Sequence, residues 1–278
     1  MITKDKEIIL IGGGILGLSI ARKFLIEGYK KIILLEKEDS VAIHQSSRNS
    51  GVMHAGLYYE PNSLKAKLSR EGIGLMKEYC DKNFIKWDEC GKIVVATKEN
   101  QLDRLENLLV RGEKNNLKGI KRIDSKKINI LEPYVNAKAG ILVPEESIVS
   151  YHDVAKKFEE EIVAQGGLIK FSSEVAKIEE RQNSYLIHLR TGETIFADVI
   201  ISAAGLYSDK IAKIMGFNIK NKKILPFRGE YYLLKSPYKY LVKNLIYPLP
   251  NPSLPFLGVH LTRMINNDIE AGPNAILA

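Results

Sequence analysis

Three glycines and one carboxylate open the chain with a spacing suited to a diphosphate. Gly12, Gly14 and Gly17 follow the apolar run Ile8–Ile11 and lead into a stretch of helical spacing, Leu16–Glu27. In such a turn the first glycine permits the tight bend. The second lets a pyrophosphate approach the backbone, and the third lets helix and strand pack closely. The helix N-terminus adds unpaired N–H groups and the positive end of its dipole. Glu36 closes a second apolar run, Ile32–Leu35, nineteen residues after Gly17, where a carboxylate can accept hydrogen bonds from ribose hydroxyls. The chemistry implied is dinucleotide binding, and this turn alone does not separate FAD from NAD. A glycine-rich turn that merely packs is the bland alternative.

The elements that must position these groups read as strand, turn, helix and strand over Glu7–Glu36, with Gly28 as the helix stop. Both strands are continuous apolar runs, as expected for a parallel sheet covered on both faces. A second run, Asp198-Val-Ile-Ile-Ser-Ala-Ala-Gly205, ends in small residues that let backbone come close to a cofactor. From Val41 to Tyr59 the chain is rich in Ser, Asn, Gly and His without periodicity, which reads as a functional loop. Helical spacing is expected over 64–79, 101–114 and 151–165. Strands are expected over 92–97, 168–171, 174–178, 185–190 and 194–202, the last as one element. From Pro226 to Arg263 prolines, aromatics and short strands dominate, the look of a separate antiparallel sheet.

The 278 residues suffice for one large domain or two smaller ones, and 45% hydrophobic with 27% charged residues is ordinary globular composition. Lys and Arg exceed Asp and Glu by 41 − 33 = +8. The excess reads as a lysine-rich surface, or as attraction to anionic substrates or an anionic membrane face. The lysines are scattered and no aromatic-basic array appears, which argues against a nucleic-acid partner. Cys80 and Cys90 form no CxxC pair, and with five scattered histidines they make no recognisable metal site. A reducing, cytoplasmic setting fits two unpaired cysteines. Only about six polar residues precede the first apolar run, too few for a signal peptide, and no early apolar stretch is long enough to span a bilayer.

Several blocks carry a closer resemblance. Gly12–Gly17 with Glu36, the loop His44-Gln-Ser-Ser-Arg-Asn-Ser-Gly-Val-Met-His-Ala-Gly56 and Ser202-Ala-Ala-Gly205 resemble the D-amino-acid oxidase-like FAD-dependent oxidoreductases. Asn49–Tyr59, Cys90–Thr97, Pro226–Tyr231, Pro255–Arg263 and Gly272–Ala275 resemble, more narrowly, the L-2-hydroxyglutarate oxidase/dehydrogenase family. The resemblance implies FAD, with Lys37 beside Glu36 and with Ser46, Ser47, Asn49, Ser50 and Gly51 near pyrophosphate and flavin. It places the Val175 backbone at the adenine and Ala204 and Gly205 beside the cofactor. It implies oxidation of L-2-hydroxyglutarate to 2-oxoglutarate, with electrons passing to oxygen or a membrane quinone. A cytoplasmic protein, peripheral at the inner face of the cell membrane, follows from that acceptor. The family continues past Gly272–Ala275 with a glycine-rich segment over the flavin. By that comparison the chain lacks its C-terminal part, which a second polypeptide would supply.

Oxidising a 2-hydroxy acid needs a hydride acceptor, a base for the hydroxyl proton and cations for carboxylates. The flavin is the acceptor, and histidine suits the base at neutral pH. His260 and His54 are the candidates, because each lies in a block resembling the family. A strand over Phe256–Arg263 would put Gly258, His260 and Thr262 on one face and turn Arg263 away. A half-buried structural histidine is the plain alternative for His260, and a loop-ordering hydrogen bond for His54. Arg228 is the first choice for a carboxylate because a guanidinium binds it bidentately, with Arg263 second. Tyr58, Tyr59 and Tyr232 are candidate hydrogen-bond donors, although packing is the commoner fate of an aromatic.

The expected architecture is α/β: a discontinuous Rossmann-like FAD-binding domain over 1–84 and 145–215. A second α+β substrate domain on an antiparallel sheet would take 85–144 and 216–278. Two other readings compete. One is a related FAD-dependent enzyme of another small substrate, an amino acid or glycerol 3-phosphate. The other is a truncated FAD-binding fragment without catalysis.

Overall fold

A computed structural model describes residues 2–220, 222–251, 253 and 257–278. The chain divides into two compact units, Met1–Asn49 with Tyr151–Pro226, and Ser50–Ser150 with Phe227–Ala278.

The first unit grows from the apolar run at the start of the chain. Ile8–Ile11 is fully buried and pairs in parallel with Ile32–Leu35 on one side and Val199–Ser202 on the other. Leu168–Lys170 extends the sheet beyond Ile32–Leu35, giving four parallel strands. The helix Ile15–Ile26 stops because Gly28 takes a positive φ of 87°. Its N–H then reaches the Leu25 carbonyl, and the Tyr29 N–H reaches Phe24. This is the glycine stop that closes a helix's last carbonyls. A three-stranded antiparallel sheet, Val175–Arg181, Ser184–Leu189 and Thr194–Ala197, covers one face. Ile9, Ile11 and Leu35 form a core with Val175, Ile187, Leu189 and Ile195. By strand alternation Ile8, Leu10 and Leu34 turn to the other face.

The run 194–202, expected as one strand, is two. Thr194–Ala197 ends the antiparallel sheet and Val199–Ser202 begins afresh in the parallel one. Asp198 makes the corner, its carboxylate accepting from the Glu7 N–H at 2.7 Å and from Lys6 Nζ at 3.0 Å. The aspartate between the two apolar stretches is the mark of the handover.

The second unit is built on a seven-stranded mixed sheet. Its order is Tyr232–Leu233, Ile269–Gly272, His260–Arg263, Leu245–Pro248, Lys92–Ala96, Ala139–Val143 and Lys121–Asp124. Most strands of the last quarter therefore join this sheet, and only Phe227–Arg228 and Ile276–Leu277 pair apart from it among the described residues, as a two-stranded antiparallel sheet. Leu245–Pro248 lies parallel to Lys92–Ala96 and joins strands 245 − 92 = 153 residues apart into one layer. A smaller sheet of Val52–Met53, Ser147–Val149 and Trp87–Asp88 completes the unit, with helices Leu64–Lys82, Leu102–Lys114 and Ser125–Leu131. Residues 50–84 group here, whereas the sequence reading assigns them to the FAD-binding domain. The reason is local pairing: Val52–Met53 bonds to Ser147–Val149, and Arg70 makes a two-pronged bond to Glu145 at 2.7 and 3.0 Å. None of the described helices is long and apolar enough to cross a membrane.

Candidate functional site

In the first unit the glycine turn sits beyond the C-terminal ends of the parallel strands, where ligands of such sheets bind. Each glycine of the motif has a steric reason. A Cβ on Gly17 would lie 1.9 Å from the Gly12 carbonyl oxygen, so helix and turn could not approach as they do. Gly12 has φ 111°, and a Cβ there would meet the Ala203 carbonyl at 2.6 Å. That contact brings the Ala203–Ala204 turn against the glycine turn, and the Ala203 N–H bonds to Ile11. Gly205 follows with φ 54°. Gly14 caps the helix without a side chain of its own, and a Cβ there would meet only Ser46 Oγ, at 3.2 Å. The glycine turn thus leaves space and helix-end N–H groups where a diphosphate would lie, and the residues fit one.

Glu36 is buried, and its two carboxylate oxygens face the turn. Oε2 accepts from the Gly13 N–H at 2.6 Å and Oε1 from the Glu38 N–H at 2.9 Å. The acid therefore ties the end of its own strand to the glycine turn. Lys37 bonds to Glu38 at 2.5 Å and lies 4.8 Å above the Tyr207 ring; the Glu38 carboxylate pushes its ammonium pKa up. Ser46 Oγ accepts the Ile15 N–H at 2.9 Å, at the first turn of the helix. Ser47 Oγ lies 3.2 Å from His152 Nδ1, and the Asn49 amide ties down the Gln45 and Ser46 carbonyls. Val175 is buried at the start of its strand.

The second unit holds both candidate histidines. His260 is buried and stacks on Tyr247, rings 4.1 Å apart and inclined by 21°. Gly258, expected within the strand, precedes it, and its carbonyl accepts from His260 Nδ1 at 3.0 Å. Phe256, the expected strand start, lies outside the described residues. Burial pushes His260 below the usual histidine range, opposed by the Gly258 hydrogen bond. The alternation expected from the sequence puts His260 and Thr262 on the buried face. Arg263 faces the other way and pairs with Asp88.

His54 is partly exposed, and its Nδ1 lies 3.3 Å from Glu146 Oε2. Glu146 is fully buried and pairs through Oε1 with the equally buried Lys92. Burial raises the Glu146 carboxyl, but Lys92 and His54 more than reverse this and bring it to about 2. The Lys92 ammonium lies 4.8 Å from the centre of the Tyr58 ring and 5.2 Å from that of Tyr247. The Tyr58 hydroxyl is buried with no hydrogen-bond partner among the described residues, and burial followed by Glu146 holds its pKa far above the usual phenol. It remains a proton donor. Ser50 adjoins the Tyr247 hydroxyl, whose pKa burial raises. Gly51 has φ 67°, and a Cβ there would strike the Val149 carbonyl at 2.6 Å, so this glycine is needed for strand pairing.

Arg228 and Tyr232 stand apart from this cluster. Arg228 pairs with Glu230 at 2.9 Å on an exposed strand end, Glu230 bonds in turn to Asn274, and Tyr232 is 82% exposed. Tyr231, its neighbour, is the tyrosine that meets His260 edge-on at 6.2 Å. Lys92, Glu146 and Tyr247 escape sequence reasoning. The one signal is a lysine opening the otherwise apolar run Lys92–Ala96, where a charge demands a partner.

A parallel sheet with this turn, an acid after its second strand and an antiparallel sheet on one face defines a dinucleotide-binding protein. A family model for FAD dependent oxidoreductases matches residues 7–277, and the chain belongs to that family. It is 46% identical over 275 residues to the L-2-hydroxyglutarate dehydrogenase of Indibacter alkaliphilus, covering 99% of this chain and 69% of that protein. To the L-2-hydroxyglutarate dehydrogenase of Escherichia coli K12 it is 42% identical, covering 98% of this chain and 64% of the relative. Among solved structures, an L-alpha-glycerophosphate oxidase from Mycoplasma pneumoniae with FAD bound superposes with a TM-score of 0.85 at 25% identity. That match covers 99% of this chain and 72% of the other. The chain thus spans about two thirds of the curated relatives' length.

Proposed function

We propose that this protein oxidises L-2-hydroxyglutarate to 2-oxoglutarate with FAD. One observation carries the reading: the 46% identity to a protein of that activity runs through both units, over 99% of the chain. Bound FAD supplies the acceptor for the hydride of the substrate carbon. The chain's residues do the rest. Gly12, Gly14 and Gly17 leave room for the diphosphate, with Ser46, Ser47, Asn49, Ser50 and Gly51 along the same segment. Glu36 takes the ribose, with Lys37 beside it. The Val175 backbone meets the adenine, and Ala204 and Gly205 line the cofactor. His260 or His54 takes the hydroxyl proton. Arg228 holds a substrate carboxylate, since its exposed pair with Glu230 costs little to exchange for another carboxylate. Arg263, tied to Asp88, is the second choice. Tyr58 donates its unspent O–H, and Tyr232 lies on the strand near Arg228.

The electrons go on to oxygen or to a quinone at the inner face of the cell membrane, to which a net charge of +8 would attract the protein. Full activity would draw on the further third of the relatives' length, in the same chain or as a second polypeptide. The test is anaerobic bleaching of the flavin, with that segment supplied, on L-2-hydroxyglutarate against its D enantiomer, glycerol 3-phosphate and a panel of amino acids. Bleaching by the L enantiomer alone is expected. Bleaching by glycerol 3-phosphate or an amino acid instead would transfer the assignment to that substrate.

A further inference from the structure

Lys92 and Glu146 are the two fully buried members of an ion pair in the second unit, and each faces a different aromatic or titrating group. Lys92 arrives on the strand Lys92–Ala96, and Glu146 in the turn before Ser147–Val149. The adjacent Glu145 points elsewhere, to Arg70 and the Lys118 N–H, so the two neighbouring acids have separate tasks. A buried ion pair is weak as a stabilising device, because desolvation cancels most of its attraction. Its stability contribution therefore does not account for its presence.

The geometry offers another account. One Glu146 oxygen, Oε1, is occupied by Lys92, and the other, Oε2, is turned to His54 Nδ1 at 3.3 Å. An ionised carboxylate can only accept, so the proton of this hydrogen bond must sit on Nδ1. The neutral ring then carries its lone pair on Nε2, in a side chain that is 37% exposed. Lys92 lies over the faces of Tyr58 and Tyr247 and keeps Glu146 from rotating its second oxygen away. His260 makes the contrasting case. It is buried, stacked on Tyr247 and bonded to a neutral carbonyl, and no carboxylate among the described residues bonds to its ring.

We propose that Glu146, fixed by Lys92, is a positioning residue that sets the tautomer of His54 and makes it the base for the substrate hydroxyl. In the step, the O–H bond breaks and its proton moves to His54 Nε2. The carbon's hydrogen leaves with its electron pair for the flavin, and the C=O bond forms. His54 becomes an imidazolium held against the Glu146 carboxylate, the arrangement by which a buried acid supports a histidine base. The base role rests on the activity proposed above. The tautomer does not.

The test uses the FAD-loaded chain with nitrogen-15 in its histidine rings, the His54 signals being identified by their loss in His54→Gln. The neutral His54 ring should carry its proton on Nδ1. In the variant Lys92→Met/Glu146→Leu, which removes both charges together, the tautomer ratio should move at least about tenfold toward Nε2–H, the size of one hydrogen bond to a charged group. Should that variant fail to fold, Glu146→Asp keeps the charge but withdraws it from Nδ1, and the same direction of change is expected. In rapid-mixing experiments with the further third of the relatives' length present, the limiting rate of flavin reduction by L-2-hydroxyglutarate should fall about 10²-fold in these variants. The half-saturating substrate concentration should stay within a factor of two. A wild-type ring protonated on Nε2, or a tautomer unchanged in both variants, overturns the positioning role. An unchanged reduction rate with the tautomer shifted overturns the base assignment to His54. If no 2-hydroxy acid bleaches the parent flavin, the proposed activity fails while the ring signals still decide the positioning.

Discussion

Gly17 and Glu36 show how much a single residue can hold in place. A methyl group on Gly17 would enter the Gly12 carbonyl at 1.9 Å, an overlap with backbone that no rotamer relieves. Gly17→Ala should therefore cost the protein its flavin and much of its stability together. Gly14→Val should lose flavin while the apoprotein still folds, because its nearest obstacle is a serine hydroxyl. The ratio of flavin to protein absorbance beside a melting curve separates the two, and equal melting losses would contradict the steric account. Glu36→Ala removes the acceptor of the Gly13 and Glu38 amides, and with it the ribose contact proposed above. FAD binding should weaken by about 1–3 kcal/mol, read by titration of the apoprotein. A variant with parent affinity would reduce Glu36 to a strand-end residue. Arg228→Lys keeps charge but loses the planar fork, so it should raise the substrate concentration needed for half-saturation and leave the limiting rate of flavin reduction near parent. A lowered limiting rate would place Arg228 in the chemistry instead.

At the scale of elements, the helix Leu64–Lys82 offers the cleanest measurement. Gly72 lies on its exposed side with nothing within 4 Å of where a Cβ would stand. Gly72→Ala should stabilise the protein by about 0.5–1 kcal/mol through helix propensity alone, and a loss of stability in thermal unfolding would mean that this face is packed. The corner at Asp198 works the other way. Its carboxyl is held low by the Glu7 amide and by Lys6. A depressed carboxylate stabilises above its unfolded pKa, and the contribution is lost as pH falls through the folded value. Asp198→Asn should therefore lose stability at neutral pH and converge with the parent as pH falls through the lowered pKa of the folded carboxyl. A constant gap down to pH 2 would show that the charge is irrelevant to the corner.

For the whole molecule, the second unit's buried groups should contribute to the acid limb of the stability curve. Glu146 falls from 4.5 in the unfolded chain to about 2. Its stabilisation is fully present above 4.5 and is lost as pH falls from there toward 2. His260 acts in the same direction but begins higher. Its pKa is lowered from 6.5 by burial, so the unfolded chain takes up a proton first and stability declines below that value. Denaturant midpoints measured between pH 7 and 2 should fall in two stages. His260→Gln should remove the upper stage, and Lys92→Met/Glu146→Leu the lower. A lower stage that survives the double change would place the acid sensitivity in other carboxylates.

What the sequence determined is the part whose physics is local. A turn between an apolar strand and a helix is specified by the glycines that only a turn needs, so Gly12, Gly14, Gly17 and Glu36 could be placed from their spacing. Gly28 likewise announced its helix stop, and the alternation of His260, Leu261, Thr262 and Arg263 put the histidine and threonine on one face and the arginine on the other, although which face is buried came from the fold. The tertiary structure decided what depends on distant pairing. Leu245–Pro248 finds Lys92–Ala96 across 153 residues, and the run 194–202 breaks between two sheets at Asp198. Lys92 meets Glu146 over 54 residues, and no periodicity records it. A lysine and a glutamate read as surface residues until the fold buries them together. Once they are out of water, each needs the other, and only then does the pair have a histidine to orient.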